Sequence, residues 1–291
     1  MHIPDGFLST PVWGAFDVLA IPSFGILARR ARRDTDDRGI PLMGVMGAFI
    51  FAAQMINFPV GPGTSGHLVG GTLLAITLGP APAAIVMTAI LAIQALVFQD
   101  GGILALGANV FNMAIVGVLA GYAPYRLLKN SSGIFIGGTV SVLVSGCFAV
   151  AELMISGVPM PAKVLWLTLA FFVVNAVVEG AITVGAVRAI GRLNPAWVPS
   201  AKPGGRLLAA VASIAIVLAV AGFLIASTHP DGIEILARAQ TPKWLHAWFP
   251  DYQVHGISSP WLRRSVAGLA GLILIYAVCM AAGRWVRQRS A

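Results

Sequence analysis

The first two residues of the chain, Met1 and His2, are able to form a metal chelate. A histidine at position two is too large for the usual removal of the initiator methionine, so we expect Met1 to keep a free α-amine. That amine, the His2 backbone nitrogen and the His2 Nδ1 atom can close a five-membered and a six-membered ring around one ion. Nitrogen donors in such a plane suit Ni²⁺ and Cu²⁺, and Co²⁺ less strictly. The alternative is that His2 is a chance residue with no ligand role.

A glycine- and proline-rich segment, residues 57–67, ends at His67, which is the only other histidine in the first 228 residues. Glycine and proline together hold a fixed, non-helical backbone path. A planar ion that binds three atoms of Met1 and His2 lacks one ligand, and the imidazole of His67 would complete the set. Alternatively, His67 is an ordinary interfacial histidine that bonds to water or to a backbone carbonyl.

Two asparagines, Asn109 and Asn112, lie at the start of a predicted helix on the same side of the membrane. They can orient a liganding imidazole or backbone group by hydrogen bonding to it. Equally, they can form hydrogen bonds between helices that involve no ligand.

The elements that must position these residues are membrane-spanning helices. Of 291 residues, 57% are hydrophobic and only 10% are charged, whereas a soluble domain is nearer to a quarter charged. Apolar runs recur along the whole chain and predict an all-α, polytopic membrane protein of about nine transmembrane spans. The predicted spans are 11–28, 41–58, 68–80, 82–99, 108–126, 133–156, 163–187, 207–226 and 265–283. The third is short and rich in glycine, which leaves open whether it crosses the bilayer.

Lysine and arginine are distributed unevenly between the two sets of loops. Fourteen fall on one side of the predicted membrane and five on the other. The positive-inside rule therefore places the amino terminus outside and the carboxyl terminus in the cytoplasm. The net charge of +8 reflects this bias and not a nucleic-acid partner. Cys147 and Cys279 lie within apolar runs, where we expect them to pack as small residues and not to form a disulfide.

A polar segment rich in proline and glycine, residues 191–206, predicts a cytoplasmic linker. It separates an amino-terminal part, residues 1–190, from a carboxyl-terminal part, residues 207–291. The first part has seven predicted spans. The second has two spans around an external loop, residues 227–263.

Several polar residues have no role that the sequence assigns. Within predicted spans these are the carboxylates Asp17, Glu152 and Glu179, and charged groups at membrane depth are functional candidates unless they reach solvent. We expect Asp5 to cap a turn with Gly6, as Asp-Gly pairs often do.

The external loop of the carboxyl-terminal part carries His229, His246 and His255. Three histidines in one loop can pass a metal ion inward. The pattern of residues 243–249, with two tryptophans, instead favours an amphipathic helix at the bilayer interface, and we prefer this positional role to direct ligation.

Three segments together resemble the CbiM/NikM family, the substrate-binding membrane components of energy-coupling-factor transporters for cobalt and nickel. They are the octapeptide MHIPDGFL at residues 1–8, the segment 63–67 and the stretch 94–112. This resemblance covers about residues 1–190. The segment 228–234, with 250–252 and 254–256, resembles the small companion subunit, CbiN or NikN, whose external loop has a Pro-Asp-Gly-Leu-Glu signature. Ile233 replaces the leucine here, and the chain as a whole resembles a fusion of the two components.

The resemblance implies that Met1, His2 and His67 hold the metal ion, which the chelate argument proposes independently. It implies that Ni²⁺ or Co²⁺ is the transported substrate, and we expect no cofactor beside it. The chain has no Gly-x-x-x-x-Gly-Lys-Ser/Thr phosphate loop. The resemblance therefore implies a transmembrane coupling protein and cytoplasmic ATPases as partners, and a tilting motion that carries the loaded site inward. Nickel and cobalt are not distinguished by these residues.

Two other classes of function are considered. An intramembrane metalloenzyme would need a metal site with an open position and a general base, such as His-Glu-x-x-His, and the sequence has none. A self-sufficient carrier or channel would show repeats or a polar pathway at the membrane midplane. The sequence shows no clear internal repeat, and the predicted site lies at one external face.

Overall fold

The structure is a computed structural model that describes residues 1–37, 39–193, 204–233 and 247–288, without the side chain of Phe223. Over these ranges the chain forms nine main helices, two short 3-10 helices (Gly222–Leu224 and Pro250–Tyr252) and one small antiparallel sheet. The helices are α1 (Thr10–Asp34), α2 (Gly39–Gln54), α3 (Gly71–Leu78), α4 (Pro80–Phe98), α5 (Leu106–Leu128), α6 (Ser131–Ile155), α7 (Ala162–Leu193), α8 (Gly205–Ala221) and α9 (Pro260–Gln288). The strands are β1 (Phe58–Gly61) and β2 (Thr64–Gly66).

Each of the nine predicted spans overlaps one of these helices. Six of the helices described, α1, α4, α5, α6, α7 and α9, are long and apolar enough to cross a membrane. α2 and α8 are apolar but shorter. α3 has 8 residues and rises only about 12 Å, whereas the hydrocarbon core is about 30 Å thick. The chain is therefore a multi-pass membrane protein, while nine complete spans and an external amino terminus stay predictions.

Residues with left-handed backbones and capping side chains mark the ends of several helices. Lys129 has a left-handed backbone (φ 50°) and separates α5 from α6. The side chain of Asn130 then caps α6 by accepting a hydrogen bond from the Gly133 backbone N–H at 2.9 Å. Gly79, with φ 87°, allows the sharp turn between α3 and α4, and Pro80 starts α4 where its missing N–H costs nothing.

The carboxyl-terminal part packs on the amino-terminal part through α2, which contacts both α8 and α9. Glycines on α2 permit the close approach. A Cβ atom at Gly47 would lie 2.7 Å from the sulfur of Cys279 on α9. Cys279 is buried in this contact, and Cys147 lies exposed on α6.

Two π turns lie on either side of the loop formed by residues 99–105. α4 ends in a π turn over Gln94–Phe98, and α5 contains one over Val110–Gly117. Such turns are rare and change which side chains share a helix face. Between them, residues 99–105 form a folded loop that begins with the left-handed residue Gln99 (φ 60°).

The predicted linker and parts of the external loop fall mostly outside the described residues. This holds for 194–203 of the linker and for His246 with most of the predicted interfacial helix. The domain boundary therefore stays a prediction.

Candidate metal centre

Met1, His2 and His67 lie together in the interior, with 5%, 4% and 4% of their surfaces exposed. The α-amino nitrogen of Met1 is 2.8 Å from Nε2 of His67. The His2 and His67 rings are nearly parallel, at 9°, with centroids 5.1 Å apart. The structure thus brings the three sequence-predicted ligand residues into one cluster.

The His67 ring presents Nε2 to this cluster as a lone pair. Its Nδ1 atom is 2.9 Å from the carbonyl oxygen of Leu68, and a carbonyl only accepts, so Nδ1 carries the proton. Burial, with the nearby amino-terminal charge and the His2 ring, lowers the pKa of the His67 imidazole well below its usual range. His67 is therefore neutral, which is the form that binds metals.

His2 is oriented by a carboxylate. Its Nδ1 atom is 3.0 Å from Oδ1 of Asp100, and its Nε2 atom is buried without a hydrogen-bond partner in the described part of the chain. Burial raises the pKa of the Asp100 carboxyl, but the His2 ring and hydrogen bonds from His2 and Tyr252 outweigh it and hold that pKa well below its usual range. The predicted chelate uses Nδ1 as a metal donor, whereas the structure has Nδ1 on Asp100.

Asn109 fixes the amino-terminal segment through the peptide groups of Ile3. Its Oδ1 atom accepts from the Ile3 N–H at 2.8 Å, and its Nδ2 atom donates to the Ile3 carbonyl at 3.0 Å. The Gly102 N–H donates to the same carbonyl at 2.8 Å. Of the two asparagines predicted to support the site, Asn109 is the one that contacts the amino-terminal segment.

Asn112, one turn further along α5, does not point at this segment. Its Nδ2 atom donates to Oε2 of Glu152 on α6 at 2.9 Å. In a regular α-helix residues three apart share a face, but the π turn that begins at Val110 alters this phase. Asn112 therefore follows the interhelical alternative for its role, and Glu152 is its partner.

Asp5 ties the amino-terminal segment to the loop of residues 99–105. Its two carboxylate oxygens accept from the N–H groups of Ile103 and Leu104, at 3.0 and 2.8 Å. Asp5 and Gly6 form the expected turn, with Gly6 at φ 86°, but the Asp5 carboxylate bonds to this loop. The loop also comes very close to the segment, since a Cβ atom at Gly102 would lie 2.6 Å from the Asp5 backbone nitrogen.

Polar groups on α2 and α7 hold the backbone that follows His67. Glu179, a buried carboxylate that the sequence left unassigned, accepts from the N–H groups of Val69 and Gly70 at 2.7 and 2.8 Å. Gln54 donates to the Val69 carbonyl at 2.7 Å. Gly70 has φ 77°, a backbone that favours glycine. His67 is therefore displayed from a rigid turn.

The carboxyl-terminal part reaches the same cluster through Asp231. One Asp231 oxygen pairs with the α-amino group of Met1, and the other accepts from the Ile233 N–H at 2.8 Å. The Ser65 N–H donates to the Pro230 carbonyl at 2.9 Å, which joins this segment to β2. Sequence reasoning noted the Pro-Asp-Gly signature here but assigned Asp231 no role at the site.

A second segment of the carboxyl-terminal part reaches Asp100. The Tyr252 hydroxyl donates to Oδ2 of Asp100 at 2.5 Å and accepts from Gln94 at 3.2 Å. Its ring stacks on Phe98, with centroids 4.7 Å apart. Burial and the Asp100 charge raise the pKa of Tyr252 well above its ordinary value, so it stays a donor. The sequence named residues 250–252 as a signature without predicting this contact.

The remaining unassigned residues lie apart from the cluster or at its edge. Asp17 accepts from the Gly107 N–H at 3.0 Å and so supports the start of α5. His229 and His255 are exposed. His229 lines a cavity beside His2 and His67, and His255 does not.

Side chains alone do not complete a metal site in the part of the chain that the structure describes. No three His, Cys, Asp or Glu side chains there are grouped closely enough to hold an ion. The Met1 α-amine is the nitrogen that lies beside His67 Nε2 here.

Comparison with known proteins identifies two family regions in the chain. The family described as the cobalt uptake substrate-specific transmembrane region, CbiM, matches residues 2–197, and the PDGLE domain matches residues 205–288. The match to CbiM includes His2 and His67 and begins directly after Met1.

Relatives and solved structures agree with these matches. The putative fused nickel transport protein NikMN of Archaeoglobus fulgidus is 36% identical over 303 residues, which cover 99% of each chain. The cobalt transport protein CbiM of Acetoanaerobium sticklandii is 36% identical over 151 residues, or 50% of this chain and 62% of that protein. A crystal structure of a transition metal transporter, 34% identical, superposes with a TM-score of 0.60 and covers 67% of this chain and 94% of that one.

Proposed function

Because the chain belongs to the CbiM family of cobalt-uptake substrate-specific membrane proteins and carries a PDGLE domain, we propose that it captures Ni²⁺ or Co²⁺ for import in a planar nitrogen site. The family and its relatives are transport proteins and not enzymes, and the chain is a multi-pass protein of the prokaryotic cell membrane. The proposed donors are the Met1 α-amine, the His2 backbone nitrogen and Nδ1, and His67 Nε2.

The observation that carries this proposal is the distance of 2.8 Å between the Met1 amine and His67 Nε2. Metal–nitrogen bonds are about 2.0 Å long. Two neighbouring corners of a square around such an ion are then about 2.8 Å apart, because the side of the square is √2 times the bond length. The amine, 66 positions away in sequence, donates a hydrogen bond to His67 Nε2 here, at the separation that adjacent ligands would also need.

The chelate also requires a change at His2, where Nδ1 must exchange Asp100 for the ion. The carboxylate does not have to leave, because a divalent ion in a buried site needs nearby negative charge. Asp231 contacts the Met1 amine and Asp100 contacts His2 Nδ1, so both can supply it. Asn109 and Glu179 hold the two backbone segments from which the donors project.

We further propose that the amino-terminal part faces outward as the substrate-specific component of an energy-coupling-factor transporter. Its energy would come from a transmembrane coupling protein and cytoplasmic ATPases, because the sequence has no phosphate-binding loop of its own. The carboxyl-terminal part, residues 207–291, acts as the companion component and contributes Asp231 and Tyr252 to the surroundings of the site.

The sharpest test extends the amino terminus by residues that are not processed, which mass spectrometry verifies. The extension removes the α-amine from the chelate but leaves the side chains of His2 and His67 intact. Titration of the purified protein with Ni²⁺ or Co²⁺ should show loss of high-affinity binding. The His67→Ala variant should lose it as well, while both proteins insert into the membrane normally.

Wild-type affinity in the extended protein would exclude the free amine as a ligand and leave histidine ligation alone. Wild-type affinity in His67→Ala would reject the four-nitrogen site altogether. Uptake in cells, normalised to membrane abundance, checks that any loss concerns binding and not expression.

A further inference from the structure

A cavity of about 550 Å³ lies beside His2 and His67, between the two parts of the chain. The amino-terminal part contributes the loop around Asp100 to its walls. The carboxyl-terminal part contributes the segment 226–231 together with Asp251 and Tyr252. The cavity thus adjoins the proposed ligands on the side where both external segments meet them.

The chemistry of these walls suits a cation. Among the described residues, the carboxylates of Asp100, Asp231 and Asp251 line the cavity, and so does the cation Arg264. The exposed imidazole of His229 also lies there.

A separate observation points to a ligand. His2 lines the cavity, the residue is 4% exposed, and its Nε2 atom has no hydrogen-bond partner among the described residues. A buried ring nitrogen is normally paired, so this atom can take a partner from outside the described part of the chain. His2 and the three carboxylates line the same cavity.

The size of the cavity decides the form in which an ion can be held. One water molecule needs about 10–15 Å³ of such space, so six waters around an ion need roughly 60–90 Å³. A hydrated divalent ion therefore fits with room to spare. In the described residues no three side chains of the usual ligand types converge on an ion, so the walls are placed to bind the ion's water and not to strip it.

We propose that this cavity is an outer chamber that holds a hydrated divalent transition-metal ion before it loses water at Met1, His2 and His67. Asp251 and His229 make outer-sphere contacts there and are not ligands in the final site. The inference rests on the proposed function, since it needs an inner site to which the ion passes. Carboxylates that line a cleft concentrate cations and raise association rates by about 10- to 1,000-fold.

The test measures how fast the purified full-length protein binds Ni²⁺ or Co²⁺ alone, by rapid mixing at low ionic strength. Asp251→Asn should reduce the association rate constant about threefold, and Asp251→Asn with His229→Gln about tenfold. Added salt should shrink both differences, because it screens exposed charges. The matched control is Asp34→Asn, an exposed carboxylate at the far end of α1.

A wild-type association rate in the double variant would overturn the proposal. So would an equal loss in Asp34→Asn, because that result would show a general effect of net charge. A different result would reject the proposed function: the unsubstituted protein would then not bind Ni²⁺ or Co²⁺ at all.

A chemical block gives an independent measurement on a single folded protein. Thr228→Cys places a thiol in the cavity wall, in a Cys147→Ser background that removes the exposed native thiol. Labelling with a bulky cationic thiosulfonate should slow Ni²⁺ binding at least tenfold, whereas labelling Asp34→Cys in the same background should not. Full-rate binding by the labelled Thr228→Cys protein would show that the ion takes another route.

Discussion

Replacing Asn109 by alanine tests whether the amino-terminal chelate depends on its backbone support. The change removes both hydrogen bonds between Asn109 and the Ile3 peptide groups. The Ile3 carbonyl keeps the hydrogen bond from Gly102, but Asn109 is the acceptor that the Ile3 N–H uses among the described residues, and Ile3 is completely buried. The loss therefore falls on the residue next to the proposed ligands.

The magnitude follows from this one buried donor. A buried N–H without an acceptor costs about 1–3 kcal/mol. In the metal-free protein the amino-terminal segment can shift so that the Ile3 N–H finds another partner. A bound ion fixes residues 1 and 2, so the metal-bound protein bears this cost. Since a tenfold change in affinity corresponds to about 1.4 kcal/mol, we expect the dissociation constant for Ni²⁺ or Co²⁺ to rise about 5- to 150-fold.

The assay is isothermal titration of purified Asn109→Ala, with Asn112→Ala as the matched control in the same helix. Asn112 donates to Glu152 and not to the amino-terminal segment. Its removal should lower the melting temperature but change metal affinity less than about threefold. Wild-type affinity in Asn109→Ala, or an equal loss in Asn112→Ala, would refute the reasoning.

Two further predictions follow from the same contacts. Gly102→Ala places a methyl group against the backbone of Asp5 and Pro4 and should weaken metal binding by at least about tenfold, because it displaces the amino-terminal segment. The control Gly14→Ala, whose methyl group meets nothing within 4 Å, should bind metal normally. Normal binding by Gly102→Ala would show that the segment tolerates a shift. Uptake should be retained when the chain is cut between Leu193 and Gly204 and both halves are produced together, because contacts of α2 with α8 and α9 hold the parts together. Loss of uptake with both halves present in the membrane would contradict this prediction.

The sequence predicts the ligand cluster because the chemistry of its members is local. The chelate of Met1 and His2 involves two adjacent residues, and His67 was the only other histidine in the first 228 residues. The positions of the helices are equally local, since each apolar run produces one. Whether a helix crosses the whole membrane is not decided locally. α3 has only 8 residues, and its packing neighbours determine how deep it lies.

The surroundings of the site could not be predicted in the same way. Asp231 and Tyr252 meet residues 230 and 152 positions away, and no spacing in the sequence encodes such a contact. Asn109 and Asn112 looked equivalent because a regular helix would present them together, and the π turn between them separates their roles. Asp5 and Glu179 were missed as supports because each accepts from backbone N–H groups, which every sequence offers.

The ion pair of Asp231 with the Met1 amine and the hydrogen bond of Tyr252 to Asp100 both join the two parts of one chain. A partner that is tethered by a short linker acts at an effective concentration that can reach the millimolar range. Contacts too weak to hold two independent subunits together at cellular abundance are then sufficient. The fusion also sets the ratio of the two parts at one to one, so every site has its own companion segment. If either contact breaks, the tether therefore keeps the segment close enough to form it again.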